Sequence, residues 1–152
     1  MYDGPVGILE LLATLAAGLF TGASIYINLV EHPARIQCGT ALALAQFVPS
    51  YRRATRLQAT LAATGFLAAL GAYILGAGAP WLIGGILLGL VIPFTLIVIL
   101  PTNRGMLSPA LAPDSPEAGQ LLDRWGKLHA VRSILSFSSF LVFLFSLSQR
   151  FC

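Results

Sequence analysis

Four long apolar stretches, near residues 6–30, 57–75, 81–100 and 130–147, are set apart by short runs in which proline, glycine, arginine and carboxamide residues gather. A helix rises about 1.5 Å per residue, so about 20 residues cross the roughly 30 Å core of a bilayer. Each stretch is close to or beyond that length, and the pattern predicts four transmembrane helices. The first stretch is not uniformly apolar. At about 100° per residue, Glu10, Thr14, Thr21, Ser24, Asn28 and His32 fall within one arc of a helix, with Leu9, Leu12, Ala16, Phe20 and Ile27 opposite. A carboxylate, an amide and an imidazole cost free energy against hydrocarbon, so this stripe is expected to face the interior of a bundle. Glu10 is expected there too, near the end remote from the histidines.

The punctuation predicts where the helices end. Pro33 should stop the first one, because the residue before a proline is pushed out of the α region. Residues 35–50 are too interrupted to cross and suggest a short interfacial segment between helices one and two, followed by the basic run Tyr51-Arg52-Arg53-Ala54-Thr55-Arg56 at the membrane surface. Gly76-Ala77-Gly78-Ala79-Pro80 reads as a tight turn. Gly85, Gly89 and Pro93 recur every four residues in the third span, a smooth ridge for close helix contact and a kink. Ser115-Pro116-Glu117 has serine and proline in the order of a helix start, so the last helix should begin near residue 116, well before its apolar part. The result is an all-α fold: residues 1–152 as a single four-span membrane domain, a four-helix transmembrane bundle.

Composition agrees: 57% of the residues are hydrophobic and 10% charged, against about 25% charged in ordinary soluble domains. The formal net charge of +3 is modest, and the bases flank apolar segments without interleaved aromatics, which excludes a nucleic-acid groove. Cys38 and Cys152 form no CxxC pair, which argues against a thiol–disulfide oxidoreductase and a cysteine-rich zinc site. Residues 1–5 carry no base ahead of the apolar run, so the first segment is read as retained rather than cleaved. Arg35, Arg52, Arg53, Arg56, Arg104, Arg124 and Lys127 fall on one side of the four spans and Arg150 on the other. The positive-inside bias then places residues 31–56 and 101–129 in the cytoplasm and both termini, with Cys152, outside.

Antiparallel helices bring the end of span one, the start of two, the end of three and the start of four to one mouth. Asn28, Glu31, His32, Arg52, Asn103, Trp125, His129 and Arg132 meet there, both histidines of the chain among them. Trp125, His129, Arg132, Ser133 and Ser136 share a face of the last helix. A guanidinium at the edge of hydrocarbon needs a counter-ion, and Glu31 is the nearest acid by topology. His32 or His129 is a candidate base; Arg132 and Asn103 are candidate donors for a developing oxyanion. Glu31, His32 and His129 also have the ligand types of a carboxylate–imidazole metal site.

Tyr26 with Leu29-Val30-Glu31-His32-Pro33-Ala34, then Pro101-Thr102-Asn103, then Leu122-Asp123-Arg124-Trp125 with His129 and Arg132, resemble the anthrone oxygenase-like family of small four-helix membrane proteins, over nearly the whole chain. Members in fungal polyketide pathways are associated with oxidation of anthrones to anthraquinones by molecular oxygen. The resemblance implies a membrane oxidoreductase acting on a small hydrophobic aromatic substrate, with His32, His129, Arg132, Asn103 and Glu31 as catalytic candidates and Asn28, Trp125, Tyr26 and Arg52 as substrate-binding ones. An anthrone enolate is electron-rich enough to react with oxygen unaided, so cofactor-free chemistry is favoured over a bound metal. The alternative from another class is a non-catalytic bundle that binds a lipid, a quinone or a partner protein.

Overall fold

The computed structural model describes residues 4–149. Arg150, Cys152 and residues 1–3, on which the expectations for the termini rest, lie outside the described residues. Four helices have the length and apolar composition of membrane spans: α1 Pro5–Gln37, α2 Thr40–Ile74, α3 Ala79–Met106 and α4 Pro116–Ser148. No strand occurs among the described residues. Two of the connections are tight. Cys38-Gly39 joins α1 to α2, and residues 75–78 join α2 to α3; Gly39, Gly76 and Gly78 stand at φ of 89°, 92° and 100°, a region open mainly to glycine.

Pro33 does not stop α1. A proline inside a helix donates no hydrogen bond, and its ring meets the carbonyl four residues back. In α1 the turn ahead of Pro33 widens into a π-helical segment, Ile27–Glu31, and the helix runs on through His32–Gln37. The same device recurs ahead of Pro101, where Thr95–Ile99 is π-helical and Leu100–Met106 continues α3. The separate interfacial segment expected between helices one and two is therefore absent. Residues 35–37 close α1, and residues 40–50 are the first turns of α2, which is unbroken through Pro49 to Ile74. At 35 residues, α2 is about 52 Å long and overshoots a bilayer core, so its first turns stand beyond the hydrocarbon or at its edge. The cytoplasmic loops expected at 31–56 and 101–129 shrink accordingly to residues 38–39 and 107–115. Where a kink is expected in α3, the regular helix is interrupted at Leu90, between the helical runs Ala79–Gly89 and Val91–Phe94. The start of α4 also follows expectation, with Ser115 Oγ accepting from the Ala118 amide at 3.2 Å and Pro116 in the first turn.

The helices form an antiparallel ring in which α1 packs on α2 and α4, and α3 on α2 and α4. Glycines set the closest approaches. A Cβ on Gly84 would lie 2.4 Å from Phe143, and one on Gly65 2.5 Å from Leu88, while Gly85 and Gly89 meet Ala69 and Phe66. At this end Ala13, Ala17, Phe20, Ala69, Trp81 and Phe143 form one apolar cluster. At the other end Ile27, Phe47, Ile99, Met106, Leu122 and Trp125 form a second. The polar stripe of α1 faces inward as expected, with Glu10, Thr14, Thr21, Ser24 and His32 all buried. Ala16, Phe20 and Ile27, placed opposite that stripe by the helical wheel, are buried too, because α1 is flanked on two sides. Its outward face is instead Ile8, Leu11, Leu12, Leu15, Leu19 and Leu29.

Candidate functional site

Between the two apolar clusters lies a polar layer to which every helix contributes. Its centre is His129, 1% exposed. The orientation of the neighbouring Asn28 decides the state of its ring. Asn28 Nδ2 donates to the backbone carbonyl of Gly126 at 3.2 Å, which leaves Oδ1 as the acceptor. That oxygen receives Ser133 Oγ at 2.6 Å and stands 2.7 Å from His129 Nδ1. Nδ1 must then carry the proton, and in the neutral ring Nε2 keeps its lone pair. Asn28 thus contributes by holding His129 from the π-helical segment of α1.

Arg132, one turn deeper on α4, donates from Nη2 to Gln58 Oε1 at 2.8 Å and lies over the Phe20 ring, 5.4 Å from its centroid. Its Nε is buried without an acceptor. Glu31 is not its counter-ion. Arg35, four residues along the same helix, takes Glu31 in an ion pair, and Gln46 Nε2 and Ser50 Oγ donate to the same carboxylate oxygen at 2.8 Å and 3.0 Å. This cluster ties the end of α1 to the start of α2, and among the described residues no carboxylate forms an ion pair with Arg132.

The walls are aromatic. Trp125 packs against His129 with centroids 4.7 Å apart and the rings tilted by 30°, and Phe47 meets the indole edge-on at 5.2 Å. Tyr51 stacks on Phe47 at 5.5 Å. The buried Arg35 guanidinium lies over both Phe47 and Trp125, at 5.8 Å and 5.7 Å. Within these walls is a cavity of about 20 Å³, lined among others by Arg35, Tyr51, Gln58, Asn103, His129 and Arg132. That is room for one molecule the size of water. Asn103 is 1% exposed, and its Oδ1 has no hydrogen-bond partner.

The remaining predicted residues lie elsewhere. His32 packs on the indole of Trp125 at 5.1 Å, in a space that exists because residue 126 is glycine: a Cβ there would sit 2.6 Å from His32 Nε2. It does not line the cavity, so the two imidazoles meet the same indole instead of converging on one space. Tyr26 is 56% exposed and Arg52 is exposed, both off the cavity wall. Glu31, His32 and His129 are not gathered, and no group of three metal-ligating side chains is found among the described residues. The carboxylate–imidazole ligand set therefore does not fit this arrangement.

Sequence reasoning missed Gln58, Phe47, Ser50 and Tyr51, and it took Arg35 for a topology signal. Gln58 had a readable mark, as a lone amide inside an apolar span. Phe47, Tyr51, Thr55 and Gln58 also recur at helical spacing, but that register appears only once residues 40–74 are known to be one helix.

A family model described as anthrone oxygenase matches residues 47–142, a range that holds every cavity-lining residue named above except Arg35. The anthrone oxygenase tpcL of Aspergillus fumigatus is 27% identical over 142 residues, covering 87% of this chain and 88% of the relative. No solved structure matches the chain.

Proposed function

Since the chain belongs to the anthrone oxygenase family, we propose that it is a membrane oxygenase that converts an anthrone-type aromatic substrate into the corresponding quinone with molecular oxygen, at the cavity bounded by His129, Arg132 and Asn103. Family membership supports an oxygenase-type activity; the substrate class is taken from the relative's name and from the aromatic walls. The observation that carries the reading is the Gly126–Asn28–His129 chain, which leaves Nε2 of a buried imidazole as a base beside an arginine that pairs with no carboxylate among the described residues.

Nε2 of His129 removes a benzylic proton from the central ring, and the charge moves to the ketone oxygen. Arg132 and the amide of Asn103 are the donors that stabilise this enolate in a water-poor setting. The enolate carbon reduces oxygen and binds it as a hydroperoxide. Loss of the second benzylic hydrogen with cleavage of the O–O bond leaves a new carbonyl on that carbon and releases the other oxygen atom as water. The methylene is oxidised by four electrons and dioxygen is reduced by four.

The bases Arg52, Arg53, Arg56, Arg104, Arg124 and Lys127 are exposed around the end of the bundle nearest the cavity. They support a site at the cytoplasmic mouth of the bundle. The test is oxygen uptake by the protein in lipid nanodiscs supplied with 1,8-dihydroxyanthrone, corrected for autoxidation with the His129→Ala protein. One oxygen consumed per quinone formed is expected. Saturable anthrone binding without uptake would instead support a non-catalytic binder.

A further inference from the structure

The polar cavity is too small for a ring system, but it does not end at Arg132. Thr55, Gln58 and Arg132 also bound a second space, of about 100 Å³, whose other walls are Phe20, Ala59, Ala62, Val91, Ile92, Thr95 and Leu96. Its floor is closed, with Phe20, Ala62 and Val91 all at 2% exposure or less. Its rim is open, with Ala59 exposed on α2 and Leu96 59% exposed on α3. The backbone explains why a space exists there. Packing between α2 and α3 is concentrated along Ala79–Gly89, where Gly85 and Gly89 meet Ala69 and Phe66. Beyond that run α3 breaks at Leu90, contains Pro93 and widens into the π-helical Thr95–Ile99, so it leaves α2 and a wedge opens between them.

The wedge faces lipid. Ala59 and Ala62 lie three and six residues beyond Arg56, the last of the exposed bases on α2, or about 4–9 Å into the hydrocarbon. The neighbouring outward side chains are apolar: Leu57, Ile97 and Leu67. At the inner end of this apolar space stands a guanidinium that has an amide for a partner and, among the described residues, a buried Nε without an acceptor and no ion-paired carboxylate. A cation held that way in a low-dielectric interior favours a ligand that brings an anionic oxygen.

We propose that the wedge between α2 and α3 is the substrate's entry port and ring-binding chamber, opening sideways to the bilayer. A planar apolar molecule with one acidic phenol or enol oxygen enters from the lipid. On entry it lays its rings between Phe20, Ala62 and Val91 and presents the oxygen to Arg132 and Gln58, and it advances past Arg132 before its methylene, across the ring from that oxygen, meets His129. Because the rim is open, the volume does not limit the length of the molecule. The port rests on the oxygenase reading for its ligand class, but its test does not depend on turnover.

The probe is 4-hydroxybenzophenone, a two-ring phenol that crosslinks to nearby C–H bonds on illumination and is inert to oxygen. With the wild-type protein in nanodiscs, saturable labelling is expected within residues 55–62 and 91–96, and about tenfold weaker with benzophenone, which lacks the phenol. Ala59→Trp fills the rim without touching the core and should reduce the labelling at least tenfold. Leu67→Trp, at an equally lipid-facing position further along α2, should leave it unchanged. Undiminished labelling in Ala59→Trp, or labelling confined to residues 107–115, overturns the port. Port labelling in a protein that shows no oxygen uptake with 1,8-dihydroxyanthrone would keep the port and reject the oxygenase; uptake with the label elsewhere would do the reverse.

Discussion

His129 is held by an amide whose own orientation is dictated by a backbone carbonyl, and that chain of dependence gives its substitutions different signatures. His129→Ala removes the base and should lower turnover by about 10²–10⁴-fold, the usual contribution of general-base catalysis. Asn28→Leu keeps the imidazole but frees its tautomer, so it should lose a smaller part of that factor. Both are read as steady-state oxygen uptake, with extracted yield and thermal unfolding near wild type; a histidine that is only structural would lose yield and leave the specific activity of the surviving protein unchanged. Arg132 answers a separate question. Arg132→Lys keeps the charge but gives up the planar fork that reaches Gln58 while presenting Nε and the other nitrogen elsewhere. The expected outcome is a fall in turnover with substrate binding largely retained, seen as a lower kcat at little-changed KM.

At the scale of the element, the π-helical turns and the glycines do opposite jobs. The turns before Pro33 and Pro101 keep α1 and α3 going past residues that ordinarily end or kink a helix, and so carry Arg35 and Asn103 to the cavity. The glycines fix how close the helices come. Gly84 has the Phe143 ring against it, and that ring is stacked on Trp81 with centroids 5.1 Å apart, so it has little freedom to withdraw. Gly84→Ala should destabilise the bundle by about 1–3 kcal/mol. Gly22 has open space around it, and Gly22→Ala should be neutral or stabilising by up to about 1 kcal/mol, since alanine is the better helix former. Thermal unfolding of the two variants in one detergent checks the difference; equal midpoints would refute the packing argument.

For the whole molecule, the remaining prediction is orientation. Burial of Arg35 removes one base from the topology count, yet six exposed bases, Arg52, Arg53, Arg56, Arg104, Arg124 and Lys127, still sit at one end. Cys38 is an exposed free thiol in the turn at that same end. A thiol reagent that cannot cross membranes should spare Cys38 in intact cells and modify it once the cells are permeabilised. Labelling of Cys38 in intact cells, read in a Cys152→Ser chain, would reverse the orientation and move the site to the outer mouth.

Four spans, the inward stripe from Glu10 to His32, the Ser115 cap and the shared face of Trp125, His129 and Arg132 all follow from the order of residues. Periodicity and hydropathy are properties of a helix taken alone, and the cost of burying polar groups in lipid needs no knowledge of the partner. The partners themselves were decided by the tertiary structure. Glu31 stood near Arg132 by topology, but Arg35 lies four residues away on its own helix and takes it. His32 and His129 were alike in sequence, and only the packing of Trp125 and Gly126 separates a lining base from an imidazole wedged behind the wall. Proline was read locally as a stop. Whether it ends a helix or is absorbed in a widened turn depends on what the continuing residues gain, and here residues 32–37 and 40–50 gain the Glu31–Arg35–Gln46–Ser50 cluster that joins α1 to α2. That gain depends on contacts between helices, which local sequence rules do not contain.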